Sequence, residues 1–430
     1  MENRHCPDRV RMACILVFSS FLLACDESPR PEAEQVSTVP TPPISVLDLP
    51  FGGAASDVLV DDVDGDGRLD LAFTSHGENF TQVFYQREAR IFEPGPPVES
   101  VGYHPGNLLR LPLEDRVSYL MSAEGEGRLL TMEHGPGGGL DVVAEARVRY
   151  PRFAAAFDWP GWGLGIAVAP FSPASVILLK NYDPHAASAS TLLDFSLRGT
   201  AYPLDSMTIA DLNGDGADEI ILPIKQTGTL RVIRYPGADA QPEIETLWDA
   251  QRFGSVKHVV AADVNGDGLV DLLAPEESPK PDGPDVALIN LLINDGEGGF
   301  DLVELPFPAP PRSEGGMPGI RALDTALDRD GLRYVFASGY DAFVLFQLSG
   351  DKALPDTEFR RLAFAGKEGN FKAVLSDIDG DGWLDAVVAR GRKVDAGLVI
   401  FGPLWDYFGL HADDGSSEWN PAPPAEAGRG

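Results

Sequence analysis

The sequence predicts an all-β protein assembled from repeats, and three observations carry that prediction. First, the string D-x-[DN]-G-D-G-x-x-[DE] occurs four times: DVDGDGRLD (Asp62–Asp70), DLNGDGADE (Asp211–Glu219), DVNGDGLVD (Asp263–Asp271) and DIDGDGWLD (Asp377–Asp385). Second, each copy runs into a short apolar segment, LDLAF, EIILPI, VDLLAP or LDAVVA, whose length suits a buried strand. Third, successive copies begin 149, 52 and 114 residues apart, close to three, one and two repeats.

The spacing of the motif points to a hard cation. Calcium takes oxygen ligands from several directions, so carboxylates must converge within one tight loop. Positions 1, 3 and 5 supply Asp62, Asp64 and Asp66; Asp211, Asn213 and Asp215; Asp263, Asn265 and Asp267; and Asp377, Asp379 and Asp381. Glycines at positions 4 and 6 free the backbone for the turn. Position 7 needs to offer only its carbonyl, which explains why Arg68, Ala217, Leu269 and Trp383 differ. Position 9 closes the loop with Asp70, Glu219, Asp271 or Asp385. Magnesium would keep more water, and softer metals would call for His or Cys. An EF-hand would need an acid at position 12, where Phe73, Leu222, Ala274 and Val388 stand, and a helix on either side. The loops are therefore expected to join strands and to hold about four Ca2+ ions.

On these residues the chain resembles the FG-GAP/VCBS repeat family, the calcium-loop β-propellers that include the integrin α-subunit head. FGGA (Phe51–Ala54) resembles a blade start of that family, and LLINDGEGGF (Leu291–Phe300) resembles its later blade hairpin. The resemblance implies a seven-bladed β-propeller over residues 45–405, with a Ca2+ loop between the first two strands of four blades. Residues 107–133 and 152–179 supply blades without the motif. Residues 320–339 supply a third, in which Asp328 and Asp330 remain of a decayed loop. A ring of sheets must also close. ISVLDLP (Ile44–Pro50) is expected to add an outer strand to the blade that contains Asp377.

The N-terminus predicts export. Basic RVRM precedes the apolar run Ala13–Ala24, too short to span a bilayer but suited to a signal peptide. That run ends in LLAC, which resembles the lipobox of bacterial lipoproteins and implies cleavage after residue 24 and acylation of Cys25. Residues 25–44 are acidic and proline-rich and read as a tether, and residues 406–430 read as a disordered tail. The expected location is a bacterial membrane, on its periplasmic or cell-surface side, with the lipid as the sole membrane contact. All three cysteines (Cys6, Cys14, Cys25) precede the folded body, so no disulfide can staple it.

A formal charge of -32 excludes nucleic acid as an expected partner. Catalytic motifs are missing: there is no G-x-S-x-G, H-E-x-x-H or G-x-x-x-x-G-K-[ST], and the seven histidines lack ligand spacing. HGPGGGLD (His134–Asp141) reads as a blade hairpin rather than a phosphate cradle. In RYPRFAAAFDWPGWG, Trp159 and Trp162 are candidates for stacking on a ligand, against the more ordinary reading that they fill core between blades. The functional expectation is a non-enzymatic, calcium-stabilised adhesion or binding scaffold at the envelope, presenting propeller loops to a protein or carbohydrate. The alternatives are a polysaccharide-active lyase on a calcium propeller and a structural subunit of an envelope complex.

Overall fold

A computed structural model describes residues 46–410, apart from 115, 198–203, 238–239, 250–253, 280–285, 309–318, 341, 350–355, 364–369, 392–393 and 395. The signal segment, Cys25, the tether and the end of the tail lie outside the described residues.

Seven antiparallel sheets follow one another along the chain. Blade one is Ala55–Asp61, Asp70–Ser75, Phe80–Glu88 and Ile91–Pro94. Blades two and three begin at Pro105–Arg110 and Pro151–Asp158, and blade four at Thr208–Ala210. Blade five begins with two short pieces, Ser255–Val256 and Val260–Ala262. Blade six begins at Ala322–Leu327 and blade seven at Lys372–Ser376. These first strands are neighbours around the ring, and the first strand of blade one meets that of blade seven. The fold is a closed seven-bladed β-propeller.

Closure comes from the N-terminal strand. Val46–Pro50 pairs antiparallel with Ala396–Ile400, from Val46 opposite Ile400 to Pro50 opposite Ala396. It is the outermost strand of the blade carrying Asp377, as the sequence predicts, so the first residues of the ring complete its last sheet.

The core lies between blades. Seven buried clusters each join one adjacent pair; Leu49, Phe51, Phe73, Val387, Val399 and Phe401, for example, seal blade seven against blade one. Second strands are covered on both faces, so Asp70–Ser75 and Glu219–Ile224 are buried throughout. This explains their continuous apolar character. Outer strands such as Thr191–Ser196 are largely exposed and alternate. The residue 405 boundary falls too early. Leu404–Leu410 is a short helix whose Leu404, Tyr407 and Phe408 are buried against blades six and seven.

Candidate metal centres and the central funnel

All four motif loops leave the inner strands at the same end of the ring, each joining a first strand to a second. Each folds as a ladder of side-chain-to-backbone bonds. In the first loop, Asp62 Oδ2 accepts Gly67 N–H at 3.0 Å, Asp64 Oδ1 accepts Asp66 N–H at 3.3 Å, and Asp66 Oδ1 accepts Arg68 N–H at 2.9 Å. The same ladder recurs at Asp211, Asn213 and Asp215, at Asp263, Asn265 and Asp267, and at Asp377, Asp379 and Asp381. Gly65 and Gly67 sit at φ +76° and +87°, a left-handed conformation that a side chain would strain. Their counterparts in the other three loops do the same.

The position 9 acids brace their loops as well as closing them. Asp70 Oδ2 accepts Val63 N–H at 3.0 Å while its Oδ1 accepts Gln86 N–H at 2.9 Å. Asp271 is held by Val264 and Asn294, and Asp385 by Ile378 and Gly402. Glu219 accepts Leu212 N–H and the side-chain amide of Asn213. Burial pushes Asp70 and Asp271 up to about 6 and Asp385 up to about 7, against the opposing effect of those N–H bonds. It raises Glu219 in the same way.

Two loops gather carboxylates tightly enough for a cation. Oxygens of Asp62, Asp64 and Asp70 lie within 4.8 Å of one another, and so do those of Asp377, Asp379 and Asp385. Asp62 Oδ1 is buried and accepts no hydrogen bond, although a bare carboxylate oxygen is costly to hide. That orphan fits a cation among the ligands. The Asp211 and Asp263 loops carry Asn at position 3, hence one carboxylate fewer each.

Arginines of the first loop and of the strand and turn beside it already neutralise part of this charge. Arg87 Nη1 reaches Asp64 Oδ2 at 2.6 Å, and Arg68 pairs with Asp66. Arg90, in the turn after Phe80–Glu88, crosses to blade seven, where it pairs with Asp379 and with Asp381 Oδ2 at 3.1 Å. Arg329 lies over the ring of Trp383, 3.8 Å from its centroid. Sequence reading missed Arg87 and Arg90, because neither the approach of a third strand to the loop of its own blade nor that of its turn to the adjoining blade has a local signature.

At the opposite end of the inner strands the ring opens into a cavity of about 820 Å3, lined by residues from all seven blades. The inner strands are irregular here: register shifts fall at Ser56, between Pro105 and Leu108, and at Arg152. In blade five the first strand is broken from Lys257 to Val259. Such bulges re-aim side chains at the rim of a ring. They deliver Asp57, Asn107, Arg152, Lys257 and His258 to the cavity. Asp205 lies 2.8 Å from Arg152, 3.6 Å from Lys225 and 3.9 Å from Lys257, and Glu277 lies 2.6 Å from Lys225 and also pairs with Arg321. Burial would raise Glu277, but the Lys225, Lys257 and Arg321 cations outweigh it and hold the carboxyl below its usual range.

The tryptophans take the ordinary reading. Trp159 is 0% and Trp162 9% exposed, packed edge to face in the core between blades three and four. Trp159 Nε1 donates to Asp218 O at 2.6 Å. With their faces against Phe157 and each other, neither ring is placed to stack on a ligand. His134–Asp141 is the expected hairpin, joining Arg128–His134 to Leu140–Arg147.

Comparison with known proteins agrees with this geometry. Residues 211–274, which span the two middle loops, match the FG-GAP-like repeat family. No curated protein matches the sequence. Among solved structures, BBS1N in complex with ARL6DN superposes with a TM-score of 0.52 over 83% of this chain and 97% of its own, at 9% identity. Saccharomyces cerevisiae Sqt1 superposes with a TM-score of 0.48 over 78% of this chain and 81% of its own, at 11% identity. At 9% identity the BBS1N superposition speaks to fold alone. The protein is a seven-bladed β-propeller in which residues 211–274 match the FG-GAP-like repeat family.

Proposed function

We propose that this chain is a calcium-braced binding scaffold, exported and tethered to a bacterial membrane through acylated Cys25, which presents its propeller faces to a ligand of the envelope. The observation that carries the calcium reading is the buried, unpartnered Asp62 Oδ1 inside a cluster of three carboxylates, with a second cluster in blade seven. Asp62, Asp64 and Asp70, and Asp377, Asp379 and Asp385, would hold the ions with the clustered side chains, and Asp66 and Asp381 complete each loop. Asp70 and Asp385 also brace the loops from beneath. The Asp211 and Asp263 loops fold the same way with Asn at position 3, and they complete the proposed set of four. Calcium supplies charge neutralisation and a cross-link between loop residues that otherwise repel one another.

With no disulfide available, the ions would supply much of the ring's stability. Calcium at ten times its Kd contributes about 1.4 kcal/mol per site, and four such sites approach the about 5–15 kcal/mol of a whole domain. Thermal melting of the folded body with calcium and with a chelator tests this reading. A melting temperature unmoved by the chelator, together with no bound calcium after dialysis, would sink it. The anchor is tested separately, by labelling with a fatty-acid probe and loss of the label in Cys25→Ala.

A further inference from the structure

We infer that the funnel end of the ring binds a neutral oligosaccharide, whose chain lies on a shelf of aromatic rings carried by blades one to three. The inference rests on the reading of the propeller as a binding scaffold and names its ligand class, but it does not depend on calcium in the loops.

Four aromatic side chains are exposed among the described residues, and three of them stand together at this end. Tyr103, 55% exposed, precedes the first strand of blade two, and Tyr150, 53% exposed, precedes that of blade three. Phe171, 45% exposed, follows Leu164–Pro170. The turn 124–127 connects the two tyrosines. Gly125 donates its N–H to Tyr103 O at 2.9 Å, and a Cβ there would clash with the Tyr103 ring. Gly127 O accepts Val148 N–H at 3.0 Å, two residues before Tyr150, and Tyr150 O accepts Phe171 N–H at 2.8 Å. Both ends of the shelf reach the funnel. Tyr103 stacks on His104 and His104 on His76, with centroids 3.9 and 4.3 Å apart, while Arg152 lies over Phe171 at 5.4 Å. His76 and Arg152 line the cavity. His104 at φ +53° and Tyr150 at φ +36° hold a left-handed conformation that bulky residues rarely adopt. Such strain persists where the surroundings impose it, and it gathers at ligand sites.

The charges of the funnel narrow the ligand's chemistry. Four basic and four acidic side chains line it, so the lining favours neither sign. Lys372 lies 2.8 Å from Asp57 and Arg152 2.8 Å from Asp205, while Arg321 pairs with Glu277. What such a lining offers is donors and acceptors side by side, and a hydroxyl group uses both. Half-buried Phe153 and Phe371 add apolar surface to the same wall. On the shelf, charged residues separate the rings: exposed Glu126 stands in the turn between the two tyrosines, and Arg152 stands beside Phe171. The core of a protein interface is depleted of charge, which counts against a protein as the occupant. A sugar chain alternates apolar ring faces, suited to stacking on aromatics, with hydroxyl rims, suited to charged side chains.

Calorimetric titration of the full chain in calcium-containing buffer tests the assignment, with maltohexaose, cellohexaose, laminarihexaose and chitohexaose as probes. Glucose and hexagalacturonate are the comparators. The expected result is saturable binding of at least one neutral hexasaccharide with Kd below about 1 mM, and both comparators at least about tenfold weaker. Tyr103→Ala and Tyr150→Ala should each weaken that hexasaccharide by about threefold to tenfold, while Phe359→Ala, on the outer strand of blade six, leaves it unchanged. Should Tyr150→Ala fold poorly in its left-handed conformation, Tyr150→Gly removes ring and strain together and keeps the measurement available. The inference is overturned if no neutral hexasaccharide binds at millimolar concentration, if hexagalacturonate binds as tightly, or if both tyrosine variants bind like the parent. It is overturned too, with the scaffold reading left intact, if no hexasaccharide binds and the parent retains an envelope protein that the Tyr103→Ala, Tyr150→Ala double variant does not. Calcium-dependent melting is untouched by any of these outcomes, so the readings fail separately.

Discussion

Arg90 and Asp381 meet at 3.1 Å across the seam where the first blade of the ring joins the last. The same guanidinium pairs with Asp379, so one side chain of blade one occupies two of the carboxylates expected to hold calcium in blade seven. A guanidinium and a metal ion cannot both take the full charge of these oxygens. In the absence of calcium Arg90 limits the repulsion within the loop, and in its presence it competes. Arg90→Gln is therefore expected to lower the melting temperature in chelator while tightening calcium binding. About tenfold tighter binding would widen the calcium-induced rise by about 1.4 kcal/mol. A calcium response equal to the parent's would mean that the ion and Arg90 do not share ligands.

Chelator sensitivity should divide among the loops. Asp62→Asn keeps an oxygen for Gly67 N–H but removes charge at the orphaned Oδ1, so it should cost calcium affinity with little loss of the chelator-treated fold. Asp70→Asn should behave differently. Asp70 is fully buried and accepts N–H groups from both Val63 and Gln86 on different oxygens, so turning one oxygen into a donor breaks one of the two bonds and sets two donors face to face. A loss of about 1–3 kcal/mol with or without calcium is expected, read by denaturant melts. Equal behaviour of the two variants would contradict the added bracing role of Asp70.

Much of this was legible from the sequence, because the motif repeats. A nine-residue string that folds through its own Asp and Asn side chains needs no distant partner, so its four copies announced four loops and, through their spacing, seven blades. The closing strand was legible too, since a ring needs one more strand than the chain after Asp385 supplies. The funnel was not. Arg152, Lys257 and Arg321 lie 105 and 64 residues apart in the sequence and converge only because inner strands of successive blades start side by side. Trp159 was ambiguous in the sequence: an aromatic-rich stretch reads the same whether its rings face solvent or a neighbouring blade. The inter-blade contact with Asp218, some 59 residues on, decides it.

Outside the motif loops, acid should stabilise the ring at Asp324. Asp324, on the inner strand of blade six, accepts Leu375 N–H of blade seven at 2.8 Å. Burial pushes its carboxyl up to about 6, with the Leu375 and Thr325 N–H groups and Lys372 opposing. An unfolded aspartate titrates near 3.9. Between those two values the native state keeps a proton that the unfolded state has lost, so stability falls as pH rises through this window and then levels off. Asp324→Asn retains an oxygen for Leu375 N–H and carries no charge. Its advantage over the parent should therefore grow from about pH 4 to about pH 6.5, and parallel melting curves across that range would refute the assignment.

Closure of the ring rests on a strand that precedes all seven first strands, so it can be tested without touching any loop. Leu49 is 3% exposed and packs with Phe51, Val399 and Phe401 in the seam cluster, while its neighbours Val46–Pro50 run antiparallel to Ala396–Ile400. Leu49→Ala should cost about 2–5 kcal/mol, the usual range for a buried leucine. Deleting residues up to 50 removes the whole outer strand and exposes the edge of Ala396–Ile400, which unpaired strand edges make prone to association. The deletion should melt well below the point variant and form oligomers on gel filtration. A synthetic peptide covering residues 45–51, added in excess, should restore part of the lost melting temperature, because the missing element is a strand that pairs through its backbone. A deletion that melts like the full chain would show that Val46–Pro50 only decorates the ring and that Lys372–Ile400 closes it alone.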